Sequence, residues 1–187
     1  MPLSSTIPLI ATIALALVGY LLTYMTNLRL ARRKDRLDRI NRQLSEFYGP
    51  LYALMEASSR AWSELLAKIG NPSSPRTIEF SPENISTWRL WMIQVFMPLN
   101  RQMMTIVTRH ADLIEGHNFP KCLEDLCAHV VCYEPVLERW KQEGFDSLTV
   151  RDNASVIDFP RRQLEPYIKH IYVSLKREQE QLLKKTQ

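Results

Sequence analysis

Residues 7–25 carry no charged side chain, and Arg29, Arg32, Arg33, Lys34, Arg36, Arg39 and Arg42 follow almost at once. That junction constrains the chain more than any other feature. At about 1.5 Å rise per residue, a helix over 7–25 is about 28 Å long, close to the roughly 30 Å hydrocarbon core of a bilayer. Because Lys and Arg collect on cytoplasmic flanks, the charge bias predicts a short external N-terminus and a cytosolic remainder. The competing reading, a cleavable signal peptide, wants its basic residues before the apolar core and a small-residue cleavage site after it. Here the order is reversed, so an uncleaved anchor is expected. The next apolar stretch, residues 88–107, contains Arg89, Pro98, Asn100 and Arg101, and such charges are too costly for a second, solitary span.

The net charge of +4 belongs to the same junction. Residues 28–42 hold seven basic side chains against Asp35 and Asp38, which leaves the rest of the chain slightly acidic. Nucleic acid is therefore a poor partner, the more so because no aromatics interleave the cations. Membrane lipid is the better one, each basic residue near an anionic leaflet contributing about 1 kcal/mol. A straight helix would carry Arg42 about 25 Å beyond Met25, several times the roughly 8 Å screening length. The seven therefore read first as topology determinants and a solvated face.

Past the anchor, Leu37, Ile40, Leu44, Phe47, Leu51, Leu54, Ala61 and Leu65 recur in threes and fours, broken at Ser58, as a helical packing seam does. Followed backwards, the register meets Thr26, Thr23, Gly19, Ala16 and Thr12. A stripe of small residues lets membrane helices approach closely, so Thr12, Ala16, Gly19 and Thr23 are the candidate packing stripe of a homo-oligomer. Arg33 in the same register argues against self-association, and an antiparallel bundle within one chain shows the same spacing. Pro50 lacks an amide proton and disfavours a helical residue before it, predicting a kink or restart at Gly49-Pro50.

Residues 70–75, Gly-Asn-Pro-Ser-Ser-Pro, read as a linker between helices. A helix should start at Ser81-Pro82, kink near Pro98 and stop at Gly116, with His110 as a core histidine in its apolar stripe. Another should open at Phe119-Pro120, bend at Pro135 and end before Gly144. After a loop over 144–158, the last should start near Phe159-Pro160 and fade into a frayed charged tail from Lys176. No stretch alternates long enough for a strand. The fold class expected is all-α: one N-terminal transmembrane helix continuing into a cytosolic antiparallel helical bundle. Its parts are an anchor over 1–27, a basic juxtamembrane and amphipathic helix over 28–69, and the remaining bundle over 70–187, which forms one domain with 37–69. Trp62, Trp88, Trp91 and Trp140 are expected in its core.

Chemistry leaves little trace. Cys122, Cys127 and Cys132 lie in the reducing compartment and predict no disulfide. Zinc needs about four converging ligands, whereas five-residue spacing turns successive cysteines about 140° apart on a helix. Only His129 and Cys132 could share an ion. Buried core thiols are expected, with no metal and no cofactor. There is no phosphate-binding glycine loop, no HExxH and no nucleophile elbow. Glu124, Asp125, His129 and Glu134 share a helix but not a face. In HEPN ribonucleases a histidine stands four to six residues beyond an arginine; Arg109 with His117 and Arg162 with His170 depart from that spacing. No catalytic residues are assigned, and no enzyme activity is expected.

The segments RINRQLSEFYGPLYAL (39–54), WMIQVFMPLNRQM (91–103), HADLIEG (110–116), PKCLEDLCAHVVCYE (120–134) and IDFPR (157–161) resemble an uncharacterised family of single-pass bacterial membrane proteins. The resemblance implies a bacterial inner-membrane setting and brings no functional residues. In architecture alone the chain is similar to transmembrane effectors of retron and other phage-defence systems. Two functions follow as expectations. One is a non-enzymatic interaction or sensor module, binding an unknown cytosolic protein or its own copies. The alternative is an antiviral defence effector whose membrane helices assemble when triggered and perturb the bilayer.

Overall fold

The computed structural model describes residues 3–71, 74–78, 81–116, 118–143 and 157–184. Within them the chain is helical apart from one short hairpin. Helix α1 (Leu3–Arg42) passes through a π-helical turn (Gln43–Tyr48) into α2 (Gly49–Ile69). Arg42 (φ −64°, ψ −45°) and Gly49 (φ −66°, ψ −54°) are both right-handed helical, so the rod is unbroken from Leu3 to Ile69. The kink or restart expected at Gly49-Pro50 takes the form of this π turn, across which helical hydrogen bonding continues. Gly49 N–H reaches back to the Leu44 carbonyl, five residues earlier, which absorbs the bond that Pro50 cannot make. Gly49 also needs no side chain there: a Cβ would lie 2.2 Å from Leu44 O. A π turn also stands where the kink near Pro98 is expected. A second π turn (Met92–Phe96) joins α3 (Pro82–Trp91) to α4 (Met97–Arg109), and Met97 N–H bonds to Met92 O.

Three start signals hold. Ser81 Oγ accepts from Asn84 N–H at 3.2 Å with Pro82 in the first turn. Helix α5 (Lys121–Glu143) begins where Pro120 O accepts from Leu123 and Glu124, and α6 (Arg161–Lys184) where Pro160 O accepts from Gln163 and Leu164. Pro135 lies inside α5 and Pro166 inside α6, both on exposed faces and neither ending its helix. Other expectations are corrected. The helix expected to reach Gly116 stops at Arg109, with His110 leaving helical geometry at φ −121°, ψ 34°; a single 3-10 turn (Ala111–Leu113) follows. Gly116 instead takes a positive φ of 98° in the connection to α5. Residues 70–75 are more than linker: β1 (Gly70–Asn71) pairs antiparallel with β2 (Ser74–Ile78). The two residues of β1 are too few for a pattern, and β2, Ser-Pro-Arg-Thr-Ile, does not alternate apolar with polar side chains. His117 and residues 144–156 lie outside the described residues, and with them most of the expected 144–158 loop.

The seam survives intact. Ile40, Phe47, Leu51 and Leu65 are buried, Leu37, Leu44, Leu54 and Ala61 half-buried, and Ser58 buried among them. They share one core with Met97, Met103 and Val107 of α4, Leu123, Leu126 and Val130 of α5, and Leu164, Ile168 and Leu175 of α6. Each fully buried aliphatic side chain contributes about 1.5–3 kcal/mol. Trp140 is buried; Trp62, Trp88 and Trp91 are half-buried and pack on the core's edge around Phe96 at 5.9–6.2 Å between ring centroids.

Helix α6 is the corrected element that matters most for function. Its end does not fade at Lys176 but runs to Lys184 beside α1. Towards the end of α6 its partners lie on α1 and earlier ones on the π turn and α2: Leu182 meets Arg33, Glu178 meets Arg36, Gln179 meets Asn41, Tyr167 meets Tyr48 and Glu165 meets Ser59.

Candidate membrane-facing surface

Over residues 14–25 helix α1 is uncharged and predominantly apolar on every side, and each of these residues is exposed. Leu15 is 72 % exposed, Tyr20 69 % and Leu22 62 %, and Leu17, Val18, Leu21, Tyr24 and Met25 are exposed with them. A helix that is hydrophobic all round belongs in a protein core or in a membrane, and a contiguous exposed patch of this extent marks an interaction surface. Among the described residues one helix is long and apolar enough to cross a membrane by length and composition, and its apolar window has none of its residues buried.

The small-residue stripe lies on this half. Ala16, Gly19 and Thr23 are exposed, and a Cβ added at Gly19 would meet nothing within 4 Å. The side chain of Thr12 lies outside the described residues. Thr23 Oγ donates to Gly19 O at 2.9 Å and Thr26 Oγ to Leu22 O at 2.8 Å. Both hydroxyls are thus satisfied by their own helix, four residues back, and can sit in an apolar medium without a partner.

The basic foot divides into two groups. Arg36 grips Glu178 with two 2.7 Å bonds, and Glu115 stands 3.9 Å away. Arg33 Nη2 donates to the Leu182 carbonyl near the end of α6. Arg42 lies 3.5 Å from Glu46 and 3.6 Å from Asp112. These three fasten α1 to the rest of the domain. Arg29, Arg32, Lys34 and Arg39 are exposed, and among the described residues they have no hydrogen-bond or ion-pair partner. The carboxylate of Glu178 is held below its usual pKa by the Arg36 hydrogen bonds, and Arg36 is raised by the same contact. Sequence reasoning missed Glu178, Glu115 and Leu182, because their partners lie about 80 to 150 residues away in the chain.

The other candidate groups are scattered. Cys122 is buried, Cys127 half-buried and Cys132 exposed, which corrects the expectation of three core thiols: five-residue steps rotate the third out of the core. Burial raises the Cys122 and Cys127 thiols above their ordinary pKa. His129 is buried, donates from Nδ1 to Ile157 O at 2.8 Å, and is pushed below its ordinary pKa by desolvation. Glu134 instead pairs with Arg101 at 2.6 and 2.8 Å, and Asp125 with Lys121 at 2.8 Å. His110 is only half-buried and stands 3.5 Å from Glu46. Among the described residues, no group of three His, Cys, Asp or Glu side chains is placed to hold a metal ion. A shallow cleft of about 360 Å³ opens beside the first π turn, lined by Asn41, Leu44, Ser45, Gly49, Tyr172, Lys176 and Gln179. Its amides are already engaged, Gln179 Nε2 donating to Asn41 Oδ1 at 2.7 Å.

No family model matches the chain, and neither a curated protein nor a solved structure does.

Proposed function

We propose that this chain is a membrane-anchored, non-enzymatic helical interaction module of the bacterial inner membrane. In this reading residues 7–25 span the bilayer with the N-terminus outside. The remainder forms a cytosolic antiparallel bundle that binds a cytosolic protein or a second copy of the chain. One observation carries the proposal: a continuous helix leaves its apolar residues 14–25 exposed while its inner half buries a regular stripe. Water disfavours the first arrangement and a bilayer favours it. The self-satisfied threonines support an anchor, since neither hydroxyl needs a neighbouring helix.

Fusion of a reporter active only in the periplasm after Gln187 should give no signal, and strong periplasmic activity would overturn the topology. Replacing residues 7–25 with an unrelated apolar helix of equal length should leave cytosolic binding intact. If the wild type instead depolarises cells and Gly19→Leu removes that effect, the span assembles in the bilayer and the effector reading replaces the anchor.

A further inference from the structure

We infer that the last turn of α6 is a second membrane contact, in which Leu183 and Lys184 join Arg29 and Arg32 of α1 to hold anionic lipid headgroups. The inference rests on the spanning role proposed above for residues 7–25. Register supplies the geometry. Arg36 bonds Glu178 and Arg33, one turn nearer the apolar run, bonds the Leu182 carbonyl one turn further along α6; extending these two contacts by about half a turn sets Lys184 near residues 30 and 31. At 1.5 Å per residue that level is about 8 Å beyond Met25. The polar headgroup zone is about 5–8 Å deep on each side of the hydrocarbon, and charge is felt for roughly another 8 Å at physiological salt. Lys184 is therefore within reach of lipid phosphate, whereas Arg39, about 21 Å beyond Met25, is not.

Two further observations point to lipid. Leu30 of α1 is 60 % exposed and Leu183 of α6 51 % exposed, two large apolar side chains at one level. The cations there have the freedom an anion requires. Arg29 and Arg32 have no partner among the described residues, and Lys184 is exposed. Arg29 also lies four residues, about 40° around the helix, from Arg33, which places it over the end of α6. Arg33 itself is occupied with the Leu182 carbonyl. Apolar side chains beside solvated cations form an interfacial belt, the apolar part entering the acyl boundary and the ammonium or guanidinium meeting phosphate. Basic residues near an anionic leaflet gain most from such a position.

The test uses the full chain in lipid nanodiscs. In a Cys127→Ser, Cys132→Ser background, with Cys122 buried, an environment-sensitive fluorophore is attached at Leu183→Cys, at Leu22→Cys inside the span, or at Gln102→Cys on the exposed face of α4. The expected result is a blue-shifted probe at 183 in phosphatidylglycerol discs, a smaller shift in phosphatidylcholine, and loss of the difference in Lys184→Glu with helicity unchanged. The probe at 102 should stay aqueous throughout. An aqueous probe at 183 beside an apolar one at 22 overturns this inference and leaves the anchor standing. An aqueous probe at 22 overturns the anchor and the inference together. Equal shifts at 183 in both lipids overturn the recognition of anionic headgroups.

Discussion

The outer and inner halves of the helix that runs from Leu3 to Ile69 share one backbone geometry and differ in almost everything else. The outer half presents Leu15, Leu17, Val18, Tyr20, Leu21 and Leu22 in every direction, all exposed. The inner half sorts its side chains, with Ile40, Phe47, Leu51 and Leu65 buried on one stripe and Arg39, Arg60 and Glu64 outside. An amphipathic stripe is what a helix needs when one side faces protein and the other water; uniform apolarity is what it needs when all sides face lipid. The boundary is the basic foot, where the structure takes Arg33, Arg36 and Arg42 for internal contacts and leaves Arg29 and Arg32 to the surface.

The contrast can be broken most directly by truncating equivalent leucines. Leu51→Ala opens a cavity in the core and should lower the unfolding free energy of the domain by about 2–5 kcal/mol in a denaturant titration. Leu17→Ala should leave that titration unchanged, and a loss comparable to that of Leu51→Ala would place the outer half in a protein core. Leu17→Arg, near the middle of residues 7–25, should leave the domain folded but oppose insertion by about 2.5–3.5 kcal/mol, read as release from membrane fractions by carbonate washing.

Continuity between the halves depends on Gly49. Gly49→Ala sets a Cβ against Leu44 O and should cost about 1–3 kcal/mol as the wide turn is forced to shift. Gly19→Ala, with open space around it, should cost the domain nothing.

Acid should act on the core that the inner half packs into. His129 has its pKa lowered by burial from the ordinary 6.5, so the unfolded chain takes up this proton first. Its contribution is whole above about pH 6.5 and is lost as pH falls through the depressed folded-state value. Thermal melts from pH 7.5 downward should show that loss, and His129→Gln, which can still donate to Ile157 O, should flatten it. The smallest effect belongs to the clamp between α1 and α6. Both partners are more than a third exposed, so Arg36→Ala should cost only about 0.2–1 kcal/mol and matter less in high salt. Because Glu178 is held below the ordinary carboxylate pKa of 4.5, the pair contributes above that pH and is lost as Glu178 protonates.

Local signals carried much of this fold. Ser81-Pro82, Phe119-Pro120 and Phe159-Pro160 each mark a helix start within a residue or two, because a cap and a proline act on their own turn. The seam from Leu37 to Leu65 was equally plain, since periodicity reports burial wherever one face is covered. Pro50 was legible as a disturbance but not as a π turn, because a missing amide can be absorbed by a break or by a wider turn and the packing of α6 selects between them. The tail after Lys176 reads as frayed since its own composition is charged, but contacts distant in sequence hold it: bonds from Arg33 and Arg36, a bond to Asn41, and Leu182 packed on the core.

The sequence by itself determined what lies within a few turns of each residue: the apolar run, the basic cluster beside it, the helix starts and the buried stripe. Hydrophobic period and backbone chemistry are local, and they leave their mark in adjacent letters. Tertiary structure decided which of seven like-looking cations are spent inside the protein and which remain at the surface. It also decided that α6 returns to the basic cluster beside the apolar run, because an ion pair such as Arg36 with Glu178 joins residues whose separation in sequence contains no trace of their contact.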